Sequence, residues 1–164
     1  MYIIGDRIVH PMHGAGVIED IVSRRINAAV REYYVFRVPA GRVEILIPVE
    51  SCNSLGIRPV VDAAHAHALL EDFGSLDVEP SANWNQRYRD NMERLRSGKL
   101  TEVARVVRCL MLREHNHTLS SVERRMLASA RQILLSELSL ATGYDTSRLD
   151  EILCAALSPS TTKG

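Results

Sequence analysis

Glu79-Pro80-Ser81-Ala82-Asn83-Trp84-Asn85-Gln86-Arg87-Tyr88-Arg89 divides the chain in two. It holds the single tryptophan of 164 residues, just behind a proline that interrupts whatever precedes it. Upstream the pattern is one of short strands, and downstream one of helices. The stretch itself reads as a helix start, with Asn83 a good N-cap and Ser81 a competitor for that role. The helix is predicted to run to about Arg96, where Ser97-Gly98 supplies a glycine at the C′ position. Tyr88, Met92 and Leu95 form its apolar stripe. Trp84 stands one turn before that stripe, so it either extends it into a core or projects past it. Residue chemistry leaves both readings open.

Working upstream, Ile8 and Val9 lead into His10-Pro11-Met12-His13-Gly14-Ala15-Gly16, a proline- and glycine-marked turn. An apolar segment then continues from Val17 towards Ile26. The polar tip Asn27-Ala28-Ala29 separates it from the β-branched and aromatic run Glu32–Val38. Pro39-Ala40-Gly41 reads as a further turn, and Val43-Glu44-Ile45-Leu46-Ile47-Pro48 as another strong strand. Such strands predict a small curled antiparallel sheet or an SH3-like, β-barrel-like module. A module of this size is marginal alone and should pack on the rest. Residues 60–73 fit a short helix through Val61, Ala64, Ala68 and Leu69, and residues 74–80 a hinge or loop.

Working downstream, Val103, Val106, Val107, Leu110 and Met111 give a helical stripe over roughly residues 100–113. Ser120 and Glu123 form a capping box ahead of the longest helix, which carries Val122, Met126, Leu127, Ala130, Ile133, Leu134 and Leu138 and stops at Gly143. Asp145 or Ser147 caps a last helix. The fold class is therefore α+β. Residues 1–58 are expected to form a β-rich domain, 59–158 a compact all-α domain, and 159–164 a frayed tail.

Several function classes lose support at once. No apolar run approaches the roughly 20 residues that cross a bilayer, and Met1 to Asp6 lacks a signal-peptide pattern. A cytoplasmic protein without membrane contact is expected. Cys52, Cys109 and Cys154 are widely spaced and read as reduced thiols. His13-Gly14-Ala15-Gly16 superficially resembles a phosphate loop, but it lies between strands and reads as a hairpin turn. His10 and His13 flank a turn, His65 and His67 diverge on a helix, and His115 and His117 sit in a connection. None has the spacing of a metal site. No nucleophile signature is present, so neither an enzyme nor a bound metal or cofactor is expected.

The charges are more informative. The chain is neutral overall, yet residues 1–79 hold 7 Lys/Arg against 11 Asp/Glu (−4), residues 80–131 hold 11 against 5 (+6), and residues 132–164 hold 2 against 4 (−2). The basic block begins at the tryptophan. It is either a solvated helix surface or a face for phosphates. Arg87, Tyr88 and Asn91 share a helix side with Trp84, while Arg89 and Arg96 lie on a neighbouring face. The free amides of a helix start and an aromatic among arginines together suit a nucleic-acid contact.

Taken together, these residues resemble the CarD/CdnL family of bacterial transcription regulators, over nearly the whole chain. Gly5-Asp6-Arg7-Ile8-Val9-His10-Pro11-Met12-His13-Gly14 matches the family's opening, which is similar to the polymerase-binding module of transcription-repair coupling factor. Asn83-Trp84-x-x-Arg87-Tyr88, then Leu95-x-Ser97-Gly98, match the middle. Leu119-Ser120-x-x-Glu123-x-x-Met126-Leu127-x-x-Ala130-Arg131-x-Ile133-Leu134-x-x-Glu137-Leu138 is the most family-like run.

The resemblance implies a regulator whose Tudor-like module binds the RNA polymerase β subunit, partly by joining sheet edges; a monomer is expected. Its helical domain would contact promoter DNA at the upstream edge of the melted bubble. There Trp84 wedges into the minor groove and stabilises the open complex, while Arg87 and Arg89 hold phosphates. Arg24 and Leu46 are the polymerase-side candidates. Leu46 stands where some relatives carry a basic residue, which makes Arg24 the stronger of the two. Gln86 likewise replaces one of two consecutive arginines found in some relatives. The chain looks like the short, stand-alone type, without zinc-binding or AT-hook extensions. The alternative is a protein–protein adaptor on RNA polymerase that makes no direct DNA contact.

Overall fold

In the computed structural model, which describes residues 1–39, 42–78 and 82–157, the upstream third is an antiparallel sheet. Its strands are β1 (Arg7–His10), β2 (Gly14–Ile26), β3 (Ala29–Val38), β4 (Val43–Pro48) and β5 (Arg58–Pro59), in the order β4-β3-β2-β1-β5. Alternation along β3 turns Tyr34, Phe36 and Val38 inward, onto Ile8, Ile18 and Ile47. β2 starts three residues earlier than the sequence pattern suggests, because Gly14, Ala15 and Gly16 pair with His10, Val9 and Ile8 of β1, and a register shift between Ile18 and Asp20 absorbs a break in its alternation. Asn27 and Ala28 close the β2–β3 hairpin with φ of 51° and 66°, the left-handed pair that a two-residue hairpin turn demands.

Of the two forms the strands allow, the antiparallel sheet is what forms, without closure into a barrel. The sheet is open, with β4 and the two-residue β5 at opposite edges. Its core is plugged instead by Cys52 and Ile57, from the short helix α1 (Cys52–Leu55) and the turn after it. Once an apolar plug covers the inner face, strand closure gains little further burial.

The remaining elements are α2 (Ala63–Asp72), α3 (Trp84–Arg96), α4 (Leu100–Asn116), α5 (Ser121–Thr142) and α6 (Thr146–Leu157). They enclose a second core around Phe73, Val106, Val107, Leu110, Leu134, Leu138, Leu149 and Leu153. Caps follow the sequence closely. Asn83 Oδ1 accepts from the Gln86 amide at 3.0 Å, Ser120 Oγ from the Glu123 amide at 3.1 Å, and Asp145 Oδ1 from the Arg148 amide at 2.8 Å. Asp145 is thus the cap of the last helix, and Ser147 lies inside it. Gly98 and Gly143 take the left-handed conformation after α3 and α5. α4 runs three residues past its expected end, to Asn116.

The stretch expected as a hinge is strapped down where it is described. Arg108 Nη1 and Nη2 donate to the carbonyls of Leu76 and Gly74 at 2.7 Å each, and Arg105 Nη1 to that of Asp77 at 3.0 Å. The expected turn at Ala40-Gly41, the break at Pro80, the competing cap Ser81 and the frayed tail lie outside the described residues.

Sheet and helices meet along α5. The Ala15 amide donates to Ser136 Oγ at 2.9 Å, Gln132 Nε2 to the His13 carbonyl at 3.2 Å, and Arg7 Nη1 to the Leu140 carbonyl at 2.6 Å. Gly14 is what permits this approach: its φ is +93°, and a Cβ there would sit 2.6 Å from Ser136 Oγ.

Candidate functional site

Trp84 begins α3 and is 39% exposed. It is not loose. Its ring stacks on Tyr88 at 5.4 Å between centroids and 9° between planes, and Tyr88 packs in turn against the helical core. Four residues apart on a helix, the two rings share a face, so the tryptophan is held as a rigid aromatic plate projecting from a supported base.

The same face explains why Arg87 behaves differently from expectation. Its side chain is buried, with the residue 2% exposed, and its Nε donates to Glu123 Oε2 at 2.8 Å. Arg113 adds its guanidinium 3.8 Å from the other carboxylate oxygen. One turn on, Asn91 is buried too. An inward Arg87 follows from helix phase, because it lies between Trp84 and Asn91 on the side that carries Tyr88, Met92 and Leu95. The expected phosphate contact by Arg87 is therefore corrected: the side chain is an internal ion-pair partner. Glu123 also keeps its contact with the Ser120 backbone, so one carboxylate serves both the capping box and the ion pair. Burial alone would raise the Glu123 pKa, but the Arg87 hydrogen bond and charge, with Arg113 and the Ser120 contact, bring it below the ordinary carboxylate value.

Two ion pairs set how α3 and α5 run. Arg87 meets Glu123 near both helix starts, whereas Arg58 joins Gly98, just after α3, to Glu137, well along α5. The helices therefore point the same way, and Trp84 lies one turn before Arg87, at the end of the bundle where α5 also starts. That end of the bundle gathers two helix N-termini, the last turn of α4 with Arg113, and the exposed Arg124 and Arg125 of α5. These two arginines were missed from sequence, and their place inside the basic block was the available signal. Arg89 is exposed but lies about 140° round the helix from Trp84, at about 100° per residue. The structure thus unites Trp84 with Tyr88 rather than with Arg89.

On the sheet, Arg24 pairs in register with Arg31, Val22 with Tyr33, and Asp20 with Val35, which in turn faces Leu46 of β4. All lie opposite the inward Tyr34 and Phe36, so Arg24 and Leu46 share the outer face. Arg24 is exposed and Leu46 is 43% exposed. Arg31 opposite Arg24 reaches Glu50 at 3.4 Å. Like charges directly across a ladder are unfavourable without an acidic neighbour.

Other candidate chemistry does not assemble. His10 and His13 approach to 4.6 Å between rings, with His10 Nδ1 accepting from the Met12 amide at 3.0 Å. No group of three metal-ligating side chains occurs among the described residues. Cys52 and Cys109 are buried and Cys154 exposed, all as free thiols. No helix among the described residues is long and apolar enough to cross a membrane.

The chain matches two family models in succession: the CarD-like/TRCF RID domain over residues 2–61, and the CarD C-terminal domain over residues 68–154. It is also similar to a Bacillus subtilis (strain 168) protein named "Putative transcription factor YdeB", 36% identical over 143 residues, which is 87% of this chain and 94% of that protein. The two matches fall on the sheet and on the helical bundle, in the order the fold requires, and the chain belongs to the CarD family of transcription regulators.

Proposed function

We propose that the chain is a non-enzymatic, cytoplasmic regulator that binds RNA polymerase through its sheet and promoter DNA through the Trp84 end of its helical bundle. The reading divides at the two matched segments: residues 1–58 dock on the β subunit, and residues 59–158 touch DNA at the upstream edge of the bubble. It rests chiefly on Trp84, the single tryptophan, projecting from a helix start on a stacked tyrosine base.

An aromatic plate of this kind suits insertion between bases or at a fork. Two helix N-termini and the exposed Arg124 and Arg125 surround it with positive potential for phosphates, and Arg89 adds charge from the flank. The outer sheet face with Arg24 and Leu46 is the docking side. An edge strand, β4, lies beside it for strand addition.

Docking raises the local concentration of a DNA-contacting end whose own affinity is weak, as expected of a neutral chain. Trp84 binding only to unwound DNA then shifts the population to the open complex. Base–aromatic contact of about 1–3 kcal/mol corresponds to roughly a 5- to 150-fold shift.

The test is promoter opening by polymerase with wild type, Trp84→Ala and Arg24→Glu. Trp84→Ala should shorten open-complex lifetime while leaving polymerase binding and chain stability intact. Arg24→Glu should weaken polymerase binding. If Trp84→Ala leaves the lifetime unchanged and no DNA crosslink forms near residues 84–89 or 124–125, the adaptor reading replaces this one.

A further inference from the structure

We propose that Arg58 and Glu137 are positioning residues: their partly buried ion pair fixes where Trp84 sits relative to the sheet that docks on polymerase. This rests on the function proposed above.

Glu137 is fully buried on α5 and grips Arg58 with both oxygens, Oε1 from Nη2 and Oε2 from Nη1, each at 2.7 Å. The Val61 amide donates to Oε2 at 2.9 Å. Arg58 Nε donates to the Gly98 carbonyl at 2.8 Å. Arg58 itself belongs to β5, paired on β1 opposite Val9. One guanidinium thus ties the sheet edge, the turn that ends α3, and α5.

Gly98 is the far end of the helix that begins with Trp84. α3 has 13 residues, about 20 Å of helix. Displacing the Gly98 end would pivot α3 about its Arg87–Glu123 anchor and so re-aim the indole relative to the sheet. Stability alone is a poor reason for such a pair, since apolar residues of similar size often serve as well. Angular definition is a better one, because a bidentate fork fixes direction as well as distance. The contacts of Ser136, Gln132 and Leu140 with Ala15, His13 and Arg7 align α5 along β1 and β2. Arg87–Glu123 joins α3 to α5 near the Trp84 end, and Arg58 ties the Gly98 end to both α5 and the sheet edge.

Arg58→Lys keeps the charge but cannot hold both carboxylate oxygens and the Gly98 carbonyl at once. Glu137→Gln keeps the shape and removes the charge. In the full chain with Cys154→Ser, spin labels at Val43→Cys and Asn85→Cys would report the sheet-to-α3 distance distribution. Unlabelled variants would be assayed for polymerase affinity and open-complex lifetime.

The expected result is one narrow distance population for the otherwise native chain and a broadened or displaced one for Arg58→Lys. Polymerase affinity should be unchanged, and lifetime should be roughly 3- to 30-fold shorter. Adding Arg58→Lys to Trp84→Ala should shorten lifetime no further. An unchanged distance distribution in folded Arg58→Lys overturns the proposal, as does an unchanged lifetime with a broadened distribution. Should Glu137→Gln fail to fold, Arg58→Lys decides. If Trp84→Ala itself leaves lifetime at the wild-type value, the wedge reading falls, and the distance distribution alone upholds or overturns the hold on α3.

Discussion

Replacing Arg87 by methionine removes the nearest positive charge from Glu123 while roughly keeping the volume. The carboxylate is 4% exposed in its side chain, so it cannot simply rehydrate. Losing one partner of a buried pair typically costs about 3–5 kcal/mol. Arg113, 3.8 Å away, still offsets part of the charge, which brings the expectation to about 2–4 kcal/mol. In urea denaturation followed by circular dichroism, that is a midpoint shift of roughly 1–2 M. The double variant Arg87→Met/Glu123→Met leaves no unpaired carboxylate at this site and should recover to within about 1 kcal/mol of wild type. If the single change costs under about 1 kcal/mol, or if the double costs the sum of the singles, the internal ion pair is not what holds α3 to α5. The same variants separate the internal role from a phosphate contact. A lost phosphate contact lowers the salt slope of DNA binding by close to one. Arg89→Ala and Arg124→Ala are expected to do so, and Arg87→Met is not.

Ala28→Gly should stabilise the chain by up to about 1 kcal/mol, because φ of 66° strains an L side chain in the hairpin turn; thermal denaturation reads this, and destabilisation would refute the turn assignment. Gly14→Ala should cost about 1–3 kcal/mol, since the new Cβ meets Ser136 Oγ at 2.6 Å with φ at +93°. Adding Ser136→Gly should recover only the part due to contact. Stability should fall on acidification in two windows. His10 has its pKa lowered by burial and by His13, so the unfolded chain takes up that proton first as pH falls through its ordinary 6.5. Glu123, lowered despite burial, behaves likewise below its ordinary 4.5. Denaturation at a series of pH values should show His10→Asn flattening the upper window and Glu123→Gln the lower.

Local chemistry made much of this fold legible. Asn83, Ser120 and Gly143 mark helix ends through backbone groups within a few residues of themselves, and the structure uses all three as read. The β3 alternation needed only its own period. What failed depended on distant residues. Barrel closure turned on Cys52 and Ile57 plugging the sheet. The supposed hinge turned on Arg105 and Arg108, some thirty positions downstream, donating to its carbonyls. Arg87 was misjudged because an arginine beside an exposed-looking tryptophan reads as surface, and its carboxylate partner lies 36 positions away. The capping-box pattern located Glu123 and its contacts with Ser120, but gave no sign that the same carboxylate also serves Arg87.

Trp84 illustrates why pattern alone left two readings open. By helix phase it belongs to the inward side of α3, the side of Arg87, Tyr88 and Asn91, which argues for a core residue. Its exposure goes with its place at the very start of the helix rather than with its phase. α3 and α5 run in the same direction and are pinned together at Arg87–Glu123, one turn inside the start of α3. Tyr88 then becomes the floor on which the indole lies. The consequence for mechanism is direct: shifting the pin, or adding a turn to the start of α5, should bury Trp84 without changing a residue of α3. Fluorescence of the single tryptophan would report that burial as a blue shift, and under the proposed mechanism the open complex should lose its stabilisation in step.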